Sequence, residues 1–246
     1  MTMPQTELVK TGISGLDDIL NGGIPRGNVI LLEGSIGAGK TTLGTEFIYR
    51  GAKEFGEPGI IVVFEVSPDK LARDAAGMGW DLGELERQGL LKIVFTTRDI
   101  FRQELQQVDS LLLEEANKIG ARRIFVDGAA GLNLADGQNS RDTFHTLAQG
   151  LQRENLTAIM ALDATETRDG DAGSPQEESI ADTVIRLRME PTERATARSL
   201  EIVKSRGHDF QMGRHSFRIV NGQGIEVYRR VQAPRPRRDQ AAFDNS

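Results

Sequence analysis

The residues best suited to chemistry stand in one run, Gly34-Ser35-Ile36-Gly37-Ala38-Gly39-Lys40-Thr41, which has the spacing G-x-x-x-x-G-K-T. Glycines in such a run let the backbone curl so that several N–H groups converge on one anion. A helix starting there adds the positive end of its dipole. Lys40 is placed to neutralise β- and γ-phosphate oxygens, and the Thr41 hydroxyl to ligate Mg2+. Ser35, Gly37, Ala38, Gly39 and Thr42 complete the expected contacts to ATP. An ordinary glycine-rich turn would give a similar string. The apolar run at residues 29–33 before it, and a helical pattern over 42–55 after it, favour the phosphate cradle.

A cradle needs a second metal anchor and a group that prepares water. Ile124-Phe125-Val126-Asp127 is an apolar strand ending in an acid, and Asp127 is expected to hold Mg2+ through water. The alternative is an aspartate capping the next turn. Glu65 ends a strand predicted over 60–65, and parallel strands deliver their C-terminal ends to the ligand crevice. Glu65 is therefore the candidate base, against the plainer role of a surface carboxylate.

The elements that must position these groups alternate. Strands are predicted over 29–33, 60–65, 91–95, 123–127 and 157–162, and helices over 42–55, 67–78, 100–119 and 140–154. Ser67-Pro68 pairs an N-cap with proline in the first turn, and Asp81 with Glu84 suggests a capping box. The β-α-β-α rhythm implies an α/β fold, a mostly parallel sheet covered on both faces. Strand-like runs over 183–188, 197–205, 216–220 and 225–231 follow without helices and read as an antiparallel extension. Residues 1–231 form one predicted domain, and the Arg/Pro-containing stretch 232–246 reads as a disordered tail.

With 246 residues the chain can bury a real core, and zero cysteines exclude disulfides and thiolate metal sites. His145, His208 and His215 lack ligand spacing for a zinc site. No leader-like start or membrane-length apolar run is visible, so a cytoplasmic protein without membrane partners is expected. A net charge of −6 argues mildly against gripping nucleic acid.

Together these motifs resemble the KaiC family of RecA-like P-loop ATPases, in single-domain form. The likeness runs from Thr11-Gly12-Ile13-Ser14-Gly15-Leu16-Asp17 and Gly22-Gly23-Ile24-Pro25-Arg26-Gly27 through the cradle to Phe64-Glu65-Val66-Ser67-Pro68. It continues with Gly79-Trp80-Asp81-Leu82, Asp127 and Leu200-Glu201-Ile202-Val203-Lys204-Ser205-Arg206-Gly207, covering about residues 8 to 230. The resemblance implies a homo-oligomeric ring, usually a hexamer, with ATP between subunits. It also implies that Lys204 and Arg206 reach the γ-phosphate held by the neighbour, where a trans arginine is worth ~10³–10⁵ in rate. An unidentified regulatory protein partner fits the same expectation.

Departures from the family pattern refine this. Val66 replaces the second of two adjacent glutamates, which removes a like charge beside the base and a second water-orienting group, so slow hydrolysis is expected. Gly128 replaces a frequent serine or threonine, and His208-Asp209-Phe210 replaces a polar run ending in histidine. A serine/threonine autokinase is the alternative; only Ser179, after Glu178, remains as a weak phosphoacceptor candidate. A recombinase-like DNA motor fits less well. Loop 128–139 has no lysine or arginine, and loop 164–179 sets five acids against Arg168 alone.

Overall fold

β-branched and leucine-rich segments without polar interruption have one stable use, the middle of a sheet covered on both faces. The computed structural model describes residues 7–107, 110–129, 140–163, 175–191 and 196–230. Its elements are β1 (Leu8–Val9), α1 (Leu16–Ile19), β2 (Ile24–Pro25), β3 (Val29–Gly34), α2 (Lys40–Phe55), β4 (Gly59–Val63), α3 (Pro68–Ala76), α4 (Leu82–Arg87), β5 (Leu91–Phe95), α5 (Arg98–Gln106), α6 (Leu111–Ile119), β6 (Arg123–Asp127), α7 (Ser140–Arg153), β7 (Thr157–Asp163), α8 (Pro175–Ile180), β8 (Thr183–Pro191), β9 (Thr196–Ser205), β10 (Arg214–Val220) and β11 (Gly224–Tyr228).

Nine strands form one sheet in the order β11-β10-β9-β8-β3-β7-β6-β4-β5. From β8 through β3, β7, β6 and β4 to β5 every pairing is parallel. From β8 outward to β11 every pairing is antiparallel. The predicted α/β architecture with a C-terminal antiparallel extension is therefore the observed one. Two apolar cores lie on opposite faces of the sheet. Leu43, Phe47, Leu71, Trp80 and Leu82 cover one, and Phe101, Leu112, Leu147 and Leu151 the other. Helix α2 docks closely on β6. A Cβ added to Gly44 would stand 2.1 Å from the Phe125 ring, so only glycine lets the helix that starts at the cradle lie this close.

Local signals act as read. Ser67 caps α3 by accepting from Lys70 N–H, with Pro68 at its start, and Asp81 accepts from Glu84 N–H to cap α4. The Glu84 carboxylate, however, takes Gln88 and Arg87 rather than closing a reciprocal box.

The helix expected over 100–119 is two helices. Gln107 leaves helical geometry, and Ser110 starts α6 by accepting from Leu113 N–H. Glu104 accepts from the Ser110 hydroxyl at 2.6 Å and from Leu112 N–H at 3.1 Å. Those bonds, the Ser110 one foremost, hold its carboxyl below the usual range. This bracing starts α6 as a helix separate from α5. A second correction concerns the stretch expected as a loop over 164–179, whose end forms α8. A third concerns the strand expected over 60–65, which ends at Val63, so Glu65 lies beyond it. The tail 232–246 and most of the loops over 128–139 and 164–179 lie outside the described residues.

Candidate nucleotide site

The parallel strands bring their chemistry to one edge. Gly34 of β3 is level with Asp163 of β7, and Val63 of β4 with Asp127 of β6. Between β3 and α2 the backbone turns through Gly37 (φ 81°) and Gly39 (φ 108°), the latter capping α2. A cleft of about 440 Å³ opens there, lined by Gly37, Gly39, Lys40, Thr41, Thr42, Glu65 and Asp127 among others. Of the other predicted contacts, Ser35 and Ala38 shape the loop beneath, Ala38 N–H donating to the Ser35 carbonyl at 3.1 Å.

Lys40 is folded onto its own loop. Its ammonium donates to the Gly34 carbonyl at 2.7 Å and the Ser35 carbonyl at 3.0 Å, and pairs with Asp163 at 2.8 Å. The Thr41 hydroxyl donates to Asp127 Oδ2 at 2.9 Å. Burial pushes the Asp127 carboxyl above its ordinary value; Asp163 and Glu65 add to the rise, and the Thr41 hydrogen bond and Lys40 oppose it. A hydroxyl and a carboxylate in contact at a cradle mouth form a hard-oxygen donor pair that fits Mg2+, whose other ligands come from phosphates and water. Glu65 borders the same cleft with its side chain 74% exposed, and accepts from Arg98 at 2.6 Å.

Lys204 and Arg206 are elsewhere. Lys204 pairs with Val184 and Ser205 with Thr183, which is level with Ile30. The cradle begins at Gly34, three residues beyond the Lys204 level at Leu31 and four beyond the Ser205 level at Ile30, so about 10–13 Å of strand separates them. Lys204 donates to the carbonyls of Glu178 (2.8 Å) and Ala181 (2.6 Å), and Arg206 to those of Ser179 (2.6 Å) and Ile180 (3.3 Å). They satisfy the C-terminal carbonyls of α8. Burial, with Arg206 adding, lowers the Lys204 pKa. Ser179 is exposed, and its hydroxyl donates to the Gln176 carbonyl at 2.7 Å.

Between these ends runs a buried link. Glu33, fully buried before Gly34, accepts from Arg186 Nε (3.1 Å) and Nη2 (3.0 Å), and Arg186 also reaches Glu178 at 2.5 Å.

Sequence reasoning missed three residues near the cleft. Asp163 could have been found, because it ends an apolar strand as Asp127 does. Arg98 contacts Glu65 from 33 positions away and carries no local signal. Arg198 stands on β9 opposite Met189 and Phe217, which lie against Gly37 and Gly39. Its Nε is buried and meets no hydrogen-bond partner among the described residues.

Similarity to known proteins agrees with this geometry. A family model described as "ATPase: KaiC" matches residues 9–232. A UPF0273 protein of Aeropyrum pernix is 38% identical over 233 residues, covering 89% of this chain and 93% of that one. The circadian clock protein KaiC2 of Synechocystis sp. is 34% identical over 230 residues, 88% of this chain but 39% of that protein. Among solved structures, a KaiC-like protein from Pyrococcus horikoshii OT3 superposes with a TM-score of 0.79 at 31% identity, covering 91% of this chain and all of that one. The chain belongs to the KaiC family of ATPases.

Proposed function

We propose that this protein is a regulatory ATPase that works as a homo-oligomeric ring, hydrolyses ATP slowly and holds each nucleotide between two subunits. The observation carrying this reading is the separation just described. Lys40, Thr41, Asp127 and Glu65 meet at one edge of the sheet, whereas Lys204 and Arg206 stand at the level of the opposite strand ends. Two cations that cannot reach their own chain's cradle suit a site completed by a neighbour.

In this reading Lys40 exchanges its loop carbonyls and Asp163 for phosphate oxygens, and the cradle N–H groups take the rest of the phosphate charge. Thr41 and Asp127 would hold Mg2+, which when bound supplies charge neutralisation for phosphoryl transfer. Glu65 orients the attacking water and accepts its proton. With Val66 beside it, one carboxylate does this work, which agrees with slow turnover. Lys204 and Arg206 of the adjoining copy complete the charge at the γ-phosphate.

Light scattering with and without ATP on Glu65→Gln, which should bind without turnover, tests the assembly. The expected result is an ATP-dependent closed oligomer; a mass that stays that of one chain overturns the ring. In parallel, steady-state phosphate release should be lost in Glu65→Gln, and undiminished release removes Glu65 as base. A second reading, self-phosphorylation on Ser179, is favoured by one contact, Arg206 to the Ser179 carbonyl. If Arg206 approaches a neighbour's γ-phosphate, the Ser179 hydroxyl travels with it. Phosphopeptide mass spectrometry after incubation with ATP and Mg2+ decides, and an unmodified Ser179 removes this reading.

A further inference from the structure

One cation at the cleft belongs to neither the cradle nor the distant pair. Arg98 opens α5 directly after its N-cap, Thr97. Its Nη2 donates to Glu65 Oε1 at 2.6 Å and its Nε to the Gly128 carbonyl at 3.1 Å. The guanidinium lies 5.3 Å from the centroid of Phe64, and Phe64 packs edge-on against Phe101 of α5 at 5.7 Å. One side chain thus joins the chain just beyond β4, which carries Glu65, to Gly128, the residue that follows Asp127 at the end of β6. Arg98 is the only hydrogen-bond partner of the Glu65 carboxylate among the described residues.

We propose that Arg98 is a positioning residue for hydrolysis, pinning Glu65 to the Gly128 carbonyl and holding its carboxylate over the cleft. The proposal rests on the reading of Glu65 as the water-orienting base. An exposed carboxylate on a flexible stem samples many rotamers, and small misplacements of a catalytic group cost rate steeply. Exposed ion pairs add little to stability. The three-sided seat of Arg98, on a carboxylate, a carbonyl and an aromatic face, instead supplies geometry. The second acid that would help to orient water is replaced by Val66, which leaves orientation to Glu65 and to whatever aims it.

Kinetics of Arg98→Ala, Arg98→Lys, Glu65→Gln and the Arg98→Ala/Glu65→Gln double variant test this. In Arg98→Ala, kcat should fall about tenfold or more while KM for ATP stays within about twofold. Arg98→Lys should recover part of the loss, as should millimolar guanidinium added to Arg98→Ala. The double variant should turn over no more slowly than Glu65→Gln alone, because Arg98 acts only through Glu65. Wild-type kcat in Arg98→Ala beside an inactive Glu65→Gln overturns the proposal and leaves Glu65 as base. Additive losses in the double variant overturn it equally. Wild-type turnover in Glu65→Gln removes the base reading itself, and the Arg98 proposal falls with it.

Discussion

The two ends of the central sheet are built from different strands and carry different chemistry. At the C-terminal ends of β3, β4, β6 and β7, acids and a lysine surround an open cleft, and Lys40 and Asp127 already lean on neighbours they would exchange for a ligand. At the other end, Lys204 and Arg206 lie against backbone carbonyls of α8. The difference follows from chain direction. Parallel strands send acid-tipped ends to one edge, whereas β9 runs back and carries its terminal cations away from it. On the reading proposed above, Lys204 and Arg206 complete a neighbour's cleft and not that of their own chain.

The sharpest way to break this contrast is to disable each end separately and mix. Lys40→Ala should abolish ATP binding, measured by calorimetry. Arg206→Ala should bind ATP normally but lose about 10³-fold in kcat. Equimolar mixing should restore part of the activity, since some interfaces then join an intact cradle to an intact Arg206. No recovery on mixing would mean that the two ends do not meet in trans.

Arg186 and Glu33 form the buried link between the ends. Arg186→Ala removes the guanidinium from fully buried Glu33, and should cost about 1.5–3 kcal/mol in urea unfolding. A loss below about 1 kcal/mol would show the pair to be dispensable.

Asp127 predicts a smaller, pH-dependent effect. Its folded pKa is raised by burial, so its favourable contribution exists while it is protonated and is lost as pH rises through the folded value. Asp127→Asn should match the nucleotide-free wild type in stability near pH 4 and exceed it near pH 7, by roughly 2–4 °C in Tm per kcal/mol. The reverse sign would refute the burial argument.

The smallest effect concerns Asp163, half of whose surface is open. Asp163→Asn removes a competitor for Lys40 and an anion near the incoming phosphates, and should tighten ATP binding a few-fold, about 1 kcal/mol at most. Weaker binding would instead make Asp163 a ligand-side residue.

Much of this was legible because its causes are local. The cradle, the strand ending in Asp127 and the caps at Ser67 and Asp81 depend on residue types a few positions apart. What escaped depends on distance. The break between α5 and α6 needs Glu104 to reach forward to Ser110, which periodicity does not report. Helix α8 is six residues long and closed by Lys204 and Arg206 from another strand. Arg98 meets Glu65 only because β5 lies beside β4. Lys204 and Arg206 were noticed through family likeness alone, since nothing in their spacing points to the far edge of a sheet.

The close docking of α2 on β6 bears on how this chain can change. A helix that rests on an aromatic ring through a bare Cα cannot be lifted without tilting its first turn, and that turn holds Lys40 and Thr41. Position 44 is thus closed to substitution, although it touches no ligand. In a saturation library selected for ATP binding, glycine should be the sole survivor there, while exposed positions on the same helix, such as Lys53, accept most residues.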